Sequence, residues 1–252
     1  GRLELSAAIA LGLALLVLVI NWLRGYSPKA LLIVRTAVPS RQGRQEGGRD
    51  WKLTTAGLEL FRSRPALRGI AALNATVALA GSMVLVNTVV FVKEFLGGTD
   101  VELSLALAAS GAGATIAAVL VPRILERLDE RTVLIGGACL LPIGLGLGYL
   151  VGGVVALAAV WVLLGVGLSL VQTPIGRVLT RIASPEERTS LFAAQFSVSH
   201  GAWLVAYPVA GALGVVLGVT GASAVLGLAA AGTVAAALIL WPRDLPTASP
   251  ST

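Results

Sequence analysis

The residues with the clearest potential for chemistry lie in one apolar stretch near the end of the chain. His200 is the one histidine among 252 residues, and Trp203 and Tyr207 follow it at helical spacing. At 100° per residue, both aromatic side chains fall within about 60° of the imidazole. An imidazole titrates near neutral pH, and aromatic faces attract cations. This face would suit an amphipathic or cationic ligand and could handle protons, but a packing histidine bonded to a neighbouring helix would show the same spacing.

Three amides lie in other apolar stretches and are further candidates for a binding cavity. Asn74 and Asn87 are about 220° apart around one helix, so at most one of them points straight at a cavity. Hydrogen bonding between helices is the alternative for both. Gln172 precedes Thr173 and Pro174, so it could contact a ligand or satisfy the end of a helix.

Other chemistries find little support in the sequence. The single cysteine, Cys139, can form no internal disulfide, and one Cys with one His offers no metal cluster. The glycine run 144–148 lacks the spacing and the preceding strand of a nucleotide-binding loop. No nucleophile stands beside a base. We therefore expect neither an enzyme nor a cofactor.

Composition places the chain in the membrane. It is 56% hydrophobic and 13% charged, with a mean hydropathy of +0.87, whereas a soluble domain carries about 25% charged residues. The net charge of +6 is better explained by basic loops next to anionic headgroups than by nucleic acid. We expect an all-α integral membrane protein without a nucleic-acid partner.

Seven apolar stretches are each long enough to cross the ~30 Å hydrocarbon core as a helix. A polar, strongly basic loop, 25–66, separates the first from the other six and holds two short amphipathic segments, Ser27–Val38 and Trp51–Arg64. The predicted spans are Leu3–Leu23, Leu67–Phe91, Leu103–Leu125, Thr132–Leu150, Val154–Gln172, Ser190–Leu217 and Ala222–Trp241.

The distribution of Lys and Arg predicts the orientation. If the loop 25–66 is cytoplasmic, alternating spans put seventeen of the nineteen basic residues inside and two outside. The N-terminus is then outside and the C-terminus inside, in a plasma (inner) membrane.

The turn after the third span carries a charged motif. It reads Glu126-Arg127-Leu-Asp129-Glu-Arg131, preceded by Pro122. The turn resembles the motif of the major facilitator superfamily between the second and third helices of each bundle. Glu126-Arg127 stands where that family has Asp-Arg, Arg131 matches a later basic position, and Pro122 and Asp129 replace glycines. The resemblance implies a gating motif of Glu126, Arg127, Asp129 and Arg131, whose charged pairs would latch one state; a solvated turn is the alternative.

A second stretch supports the same resemblance. Ser184-Pro-Glu-Glu-Arg188 looks like the family's link between its tenth and eleventh helices, and Pro208-Val-Ala-Gly211 looks like the bend that follows. Ser184 would cap the next helix, with Pro185 at its first position.

The resemblance implies a secondary transporter that works by alternating access, represented here from its sixth to its twelfth helix. We expect the chain to be a fragment that needs a missing N-terminal bundle. The mostly apolar cavity favours proton-coupled efflux of small hydrophobic or amphipathic compounds. Uptake of a nutrient, or a seven-helix receptor or scaffold, remains the alternative. The expected organisation is a helix of the N-terminal bundle (1–24), a central loop (25–66), a six-helix bundle (67–241) and a disordered tail (242–252).

Overall fold

The computed structural model of the protein describes residues 57–241, and this range is helical without a β-strand. A short helical segment, 57–63, precedes the first long helix. A π-helical turn, Phe91–Phe95, continues that helix. All five long helices are apolar enough to cross a membrane. They are α1 (Pro65–Val90), α2 (Asp100–Ile124), α3 (Glu130–Gly148), α4 (Val154–Ile182) and α5 (Arg188–Leu240).

The helix starts follow from local chemistry. Pro65 occupies the first turn of α1, where its missing N–H costs nothing. Thr99 and Glu102 form a capping box at the start of α2. The Asp129 carboxylate caps α3 by accepting from the Thr132 amide at 3.0 Å.

Helix α5 is two antiparallel limbs joined at Gly218. This glycine has φ 69° and ψ 169°, a conformation closed to side-chain-bearing residues. Gln195 bonds to Asn74, and Thr233 bonds to Thr76 one half-turn further along α1. A straight helix would separate Gln195 from Thr233 by about 57 Å. The chain therefore reverses at Gly218, at the turn predicted between the sixth and seventh spans.

The bundle packs around α1, which is buried along most of its length against both limbs of α5. Trp161 of α4 lies in the core and donates its indole N–H to Thr88 of α1 at 2.7 Å. Helices α2 and α4 are in backbone contact, because a Cβ on Gly165 would collide with the Ser110 carbonyl. Close contact of this kind needs the small residues that the sequence places there.

One end of the bundle carries nearly all of its positive charge. The start of α1, the α2–α3 turn and the α4–α5 turn meet there, and nine of the ten Lys and Arg residues of 57–241 lie in these parts of the chain. Lys93 is the tenth, at the opposite end, where it pairs with Asp100 at 2.7 Å. We call the first end the basic end.

Two boundaries predicted from the sequence are wrong. The fifth span was expected to stop at Gln172, with a loop from Arg177, but α4 continues through Pro174 to Ile182. A proline inside a helix removes one hydrogen bond and crowds the preceding turn, at a cost of about 3 kcal/mol. Beyond Pro174, apolar residues continue at spacings of three and four. The free energy gained by burying them outweighs the cost of the proline. They are Ile175, Val178, Leu179 and Ile182.

The second error concerns the start of α5. Ser184 was expected to cap this helix, but α5 begins at Arg188 after a turn in which the Glu187 amide donates to the Ser184 carbonyl. The Glu187 carboxylate accepts from the Ser184 amide at 3.1 Å. Helix α5 therefore begins without a side-chain cap, and the acidic side chain bonds to the turn before it.

The segment 57–63 is helical, as expected for the second amphipathic stretch. Its Phe61 ring is buried in the bundle core, whereas an amphipathic segment on the membrane surface would rest its apolar side chains on the headgroups. Gly57 touches the Ser190 carbonyl of α5. The span Leu3–Leu23, the segment Ser27–Val38 and the tail 242–252 lie outside the described residues.

Candidate functional site

A row of rings runs along the first limb of α5. Its members are spaced by three or four residues, so they share one face of the helix. We call the row the aromatic stripe: Phe192, Phe196, His200, Trp203 and Tyr207. Only Trp203 is half-buried, and the other four side chains are exposed. The stripe contains the three residues that the sequence predicted for this site, and two phenylalanines at the same helical spacing extend it toward the basic end.

His200 is held in a defined tautomer. Its ring stacks on Phe196 with centroids 3.8 Å apart. Its Nδ1 lies 2.9 Å from the Phe196 carbonyl oxygen, and since a carbonyl can only accept, Nδ1 carries the proton in the neutral ring. Nε2 then keeps its lone pair, and within residues 57–241 it has no hydrogen-bond partner. The imidazole is oriented through one nitrogen, and the other is left as a free acceptor.

Trp203 fixes the stripe to α1. Its indole lies directly over Gly81, where any Cβ would collide with the ring. The Tyr207 ring lies 5.2 Å from that of Trp203, at a tilt of 39°. The half-buried indole thus anchors the middle of the stripe, and the glycine of α1 provides the space for it.

The polar side of α4 approaches the stripe at its basic end. Gln172, Gly176 and Thr180 follow one another at four-residue spacing and form one row. A Cβ on Gly176 would lie 3.9 Å from the Phe192 ring, so this row and the aromatic stripe face each other there. Gln172 is exposed, four residues from that contact. We call the space between the row and the stripe the groove.

Asn74 and Asn87 lie between helices. The Asn74 amide exchanges two hydrogen bonds of 3.1 Å with Gln195 of α5. Asn87 donates to the Ala210 carbonyl at 3.0 Å. Both side chains are buried. This geometry matches the interhelical bonding that the sequence left as the alternative for both, and it brings neither amide into the groove.

A buried carboxylate lies at the basic end. Glu130, in the first turn of α3, is 7% exposed and receives the Nε of Arg177 at 2.9 Å and an Nη of Arg181 at 3.0 Å. The two arginines are one turn apart on α4, so a single carboxylate reaches both. We call these three residues the basic cluster. They border a depression of about 700 Å³, lined by Glu130, Gly176, Arg177, Thr180, Arg181 and Phe192.

The predicted gating motif has a different arrangement. Asp129 bonds to the Thr132 hydroxyl at 2.6 Å, and this bond lowers the pKa of the carboxyl below its ordinary range. Glu126 and Arg127 are exposed in the α2–α3 turn. Arg131 is half-buried, and its Nε has no partner in the part of the chain that is described. The acid that pairs with another helix is Glu130, which the sequence reading passed over.

A second ion pair closes the same end. Arg64 donates to the Glu187 carboxylate at 2.7 Å and to the Ile182 carbonyl at 3.1 Å. Burial alone would raise the pKa of Glu187, but the bonds from the Ser184 amide and from Arg64 outweigh it, so the pKa lies below its ordinary value. The pair ties the segment 57–63 to the α4–α5 turn.

Comparison with known protein families identifies the chain. Residues 70–252, more than half of the chain, match the Major Facilitator Superfamily. No curated protein matches the chain. The multi-pass helical architecture, the reversal at Gly218 and the matched range agree with one another. The chain belongs to the Major Facilitator Superfamily, a family of membrane transporters.

Proposed function

We propose that this chain is the C-terminal part of a proton-coupled secondary transporter that exports small hydrophobic or amphipathic compounds. The groove between α4 and the aromatic stripe would line the substrate path, with His200 as the proton-handling group and Trp203, Tyr207 and Gln172 as contacts. Asn74 and Asn87 would hold α1 against α5 and so shape the path from behind. The observation that carries the proposal is the exposed, oriented imidazole in the middle of an apolar limb.

The exposure of His200 is significant because this residue lies within the membrane. His200 lies twelve residues after Arg188, the first residue of α5, which is about 18 Å along the helix and places it inside the ~30 Å core. An ionisable group that faces acyl chains at this depth is costly. A water-filled path, covered by further helices, removes that cost. We therefore place a second bundle opposite the groove, with 1–24 as part of it and 25–66 as the link to the bundle 67–241.

The charge distribution supports an orientation. Nine of the ten described Lys and Arg residues belong to the basic end, and the bias of basic residues toward the cytoplasm would put that end inside. The N-terminus would then be outside and the C-terminal tail inside, in a plasma membrane.

The basic cluster would act as a latch near the inner mouth of the groove. The carboxylate of Glu130 joins α3 to α4, and Phe192 of α5 borders the same depression. Ion pairs that form in one state and break in another bias a two-state equilibrium. Glu126, Arg127, Asp129 and Arg131 would contribute from the adjacent turn.

Transport by His200 variants tests the proposal. In cells that produce the complete protein, outward movement of ethidium, a hydrophobic cation, should depend on an inward proton gradient. His200→Ala should abolish that dependence. His200→Gln should abolish it too, because glutamine keeps a polar group of similar reach but does not titrate. Thr115→Ala is the control, since this exposed hydroxyl of α2 bonds only to its own helix at Gly111.

Two results would count against the proposal. If His200→Gln exports ethidium with the pH dependence of the unmodified protein, the imidazole does not handle protons. If ethidium accumulates with the proton gradient instead of leaving, the direction is wrong and the uptake interpretation is favoured.

A further inference from the structure

We propose that the depression at the basic end binds a phosphate group, presented by an anionic amphiphile whose chain lies against Phe192 and Phe196, at the basic end of the aromatic stripe. This inference goes beyond transport, because it concerns a ligand that stays with the protein. It rests on the spare donors of the basic cluster, on the apolar wall beside them and on their depth.

Arg177 and Arg181 have hydrogen-bond donors that Glu130 does not use. Glu130 uses the Nε of Arg177 and one Nη of Arg181. A guanidinium has five N–H donors, so most of those on the two arginines remain for another acceptor. Arg177 is 63% exposed and Arg181 is 46% exposed. With one carboxylate against two guanidiniums, the cluster keeps a net charge of +1. Arginine forks match phosphate oxygens well.

The walls of the depression favour an amphiphile over a small polar ion. Phe192 lines it beside Gly176, whose missing side chain leaves the α4 backbone open. From Phe192 the stripe continues through Phe196, which is 63% exposed. A ligand with its phosphate on the arginines would therefore find an apolar track for its chain.

Helix length places the depression at the level of the headgroups. Helix α4 has 29 residues, about 43 Å, whereas a helix needs about 20 residues to cross the core. The first turn of α4 is apolar, with Val155 87% exposed, so the surplus lies at the other end. About the last nine residues, with Gly176, Arg177 and Thr180 among them, then extend into the interface, where basic pockets between helices bind phospholipid headgroups.

The source of the phosphate can be distinguished with three probes. Purified complete protein in detergent is titrated with dihexanoyl phosphatidylglycerol, dihexanoyl phosphatidylcholine or sodium phosphate, and Tm is followed. We expect phosphatidylglycerol to raise Tm and the zwitterionic phosphatidylcholine to have a much smaller effect. No rise with inorganic phosphate identifies a lipid headgroup. A rise equal to that of phosphatidylglycerol identifies a general phosphate site.

Three variants test whether the rise in Tm comes from binding in the depression. Arg177→Gln should weaken the apparent affinity about tenfold, as expected for one charge-assisted bond. Thr180→Glu keeps all three residues of the basic cluster and should remove the effect by placing a carboxylate in the depression. Arg123→Gln removes an exposed charge from the same end and should behave as the unmodified protein. The proposal is overturned if phosphatidylglycerol does not raise Tm, if phosphatidylcholine raises it equally, or if all three variants respond alike.

Discussion

At the scale of single residues, the partners of the basic cluster are unequally placed. Glu130 is buried, whereas Arg177 and Arg181 reach solvent. A charge that loses its partner costs most where water cannot replace that partner. The two halves of the same interaction should therefore respond differently to substitution.

We predict that removing the arginines destabilises the bundle more than removing the acid. The double variant Arg177→Gln/Arg181→Gln leaves a buried carboxylate unpaired and should cost about 3 kcal/mol. Glu130→Gln leaves two guanidiniums that water can reach and should cost about 1 kcal/mol. The free energy of unfolding in mixed micelles measures both.

The matched control is the triple variant Glu130→Gln/Arg177→Gln/Arg181→Gln. It should recover part of the free energy of unfolding that the double variant loses, because no unpaired charge stays buried. A larger cost for Glu130→Gln than for the double variant would show that the carboxylate is not the buried partner in the folded protein.

At the scale of elements, the reversal of α5 depends on one backbone conformation. Gly218 has φ 69° and ψ 169°, a region that only glycine enters freely. A second glycine of the same element, Gly232, is helical and exposed, with nothing near the position of a Cβ. The two glycines form a matched pair.

We predict opposite effects for the same substitution at these two sites. Gly218→Ala should lower the free energy of unfolding by about 1–3 kcal/mol, because the alanine Cβ strains the turn. Gly232→Ala should leave it unchanged or raise it by up to about 1 kcal/mol, because alanine is the better helix former. Equal effects would mean that the two limbs of α5 do not need this turn.

The elements also show how far the sequence could predict the structure. Hydropathy located all five long helices, since each must be apolar along a membrane-spanning length. It misplaced the end of α4, because Pro174 was read as a stop although a buried apolar row continues to Ile182. With the helix ending at Gln172, Arg177 and Arg181 would lie in a loop, and their position on one face of α4 could not be recognised. With the helix extended, their four-residue spacing indicates a common partner.

The candidate site, too, could be predicted only in part from the sequence. The aromatic stripe could be predicted because its residues belong to one helix, where spacing alone determines the shared face. The pairing of Asn74 with Gln195, and of Asn87 with the Ala210 carbonyl, depends on how two helices dock. Helical spacing within one segment carries no information on how two helices dock. From the sequence alone, each asparagine could therefore either line a cavity or bond to a neighbouring helix.

At the scale of the whole molecule, burial alone does not identify the face that lines a path. His200 on the first limb of α5 is exposed, and so is Leu228 on the second, at 76%. Both limbs reach the basic end, since Trp241, which follows the second, packs on Gly69 near the start of α1. Chemistry separates the two faces: an imidazole needs water or polar partners, whereas a leucine suits acyl chains.

Access of a water-soluble thiol reagent to these two positions tests the central claim most directly. His200 lies twelve residues after the start of α5 and Leu228 twelve residues before its end, so their depths match. In a Cys139→Ala background, His200→Cys and Leu228→Cys are exposed in membranes to a small charged methanethiosulfonate. Only a hydrated thiol ionises and reacts readily. We predict rapid modification at 200 and little at 228. Equal protection of both positions would show that His200 faces lipid, and it would contradict a water-filled transport path along the aromatic stripe.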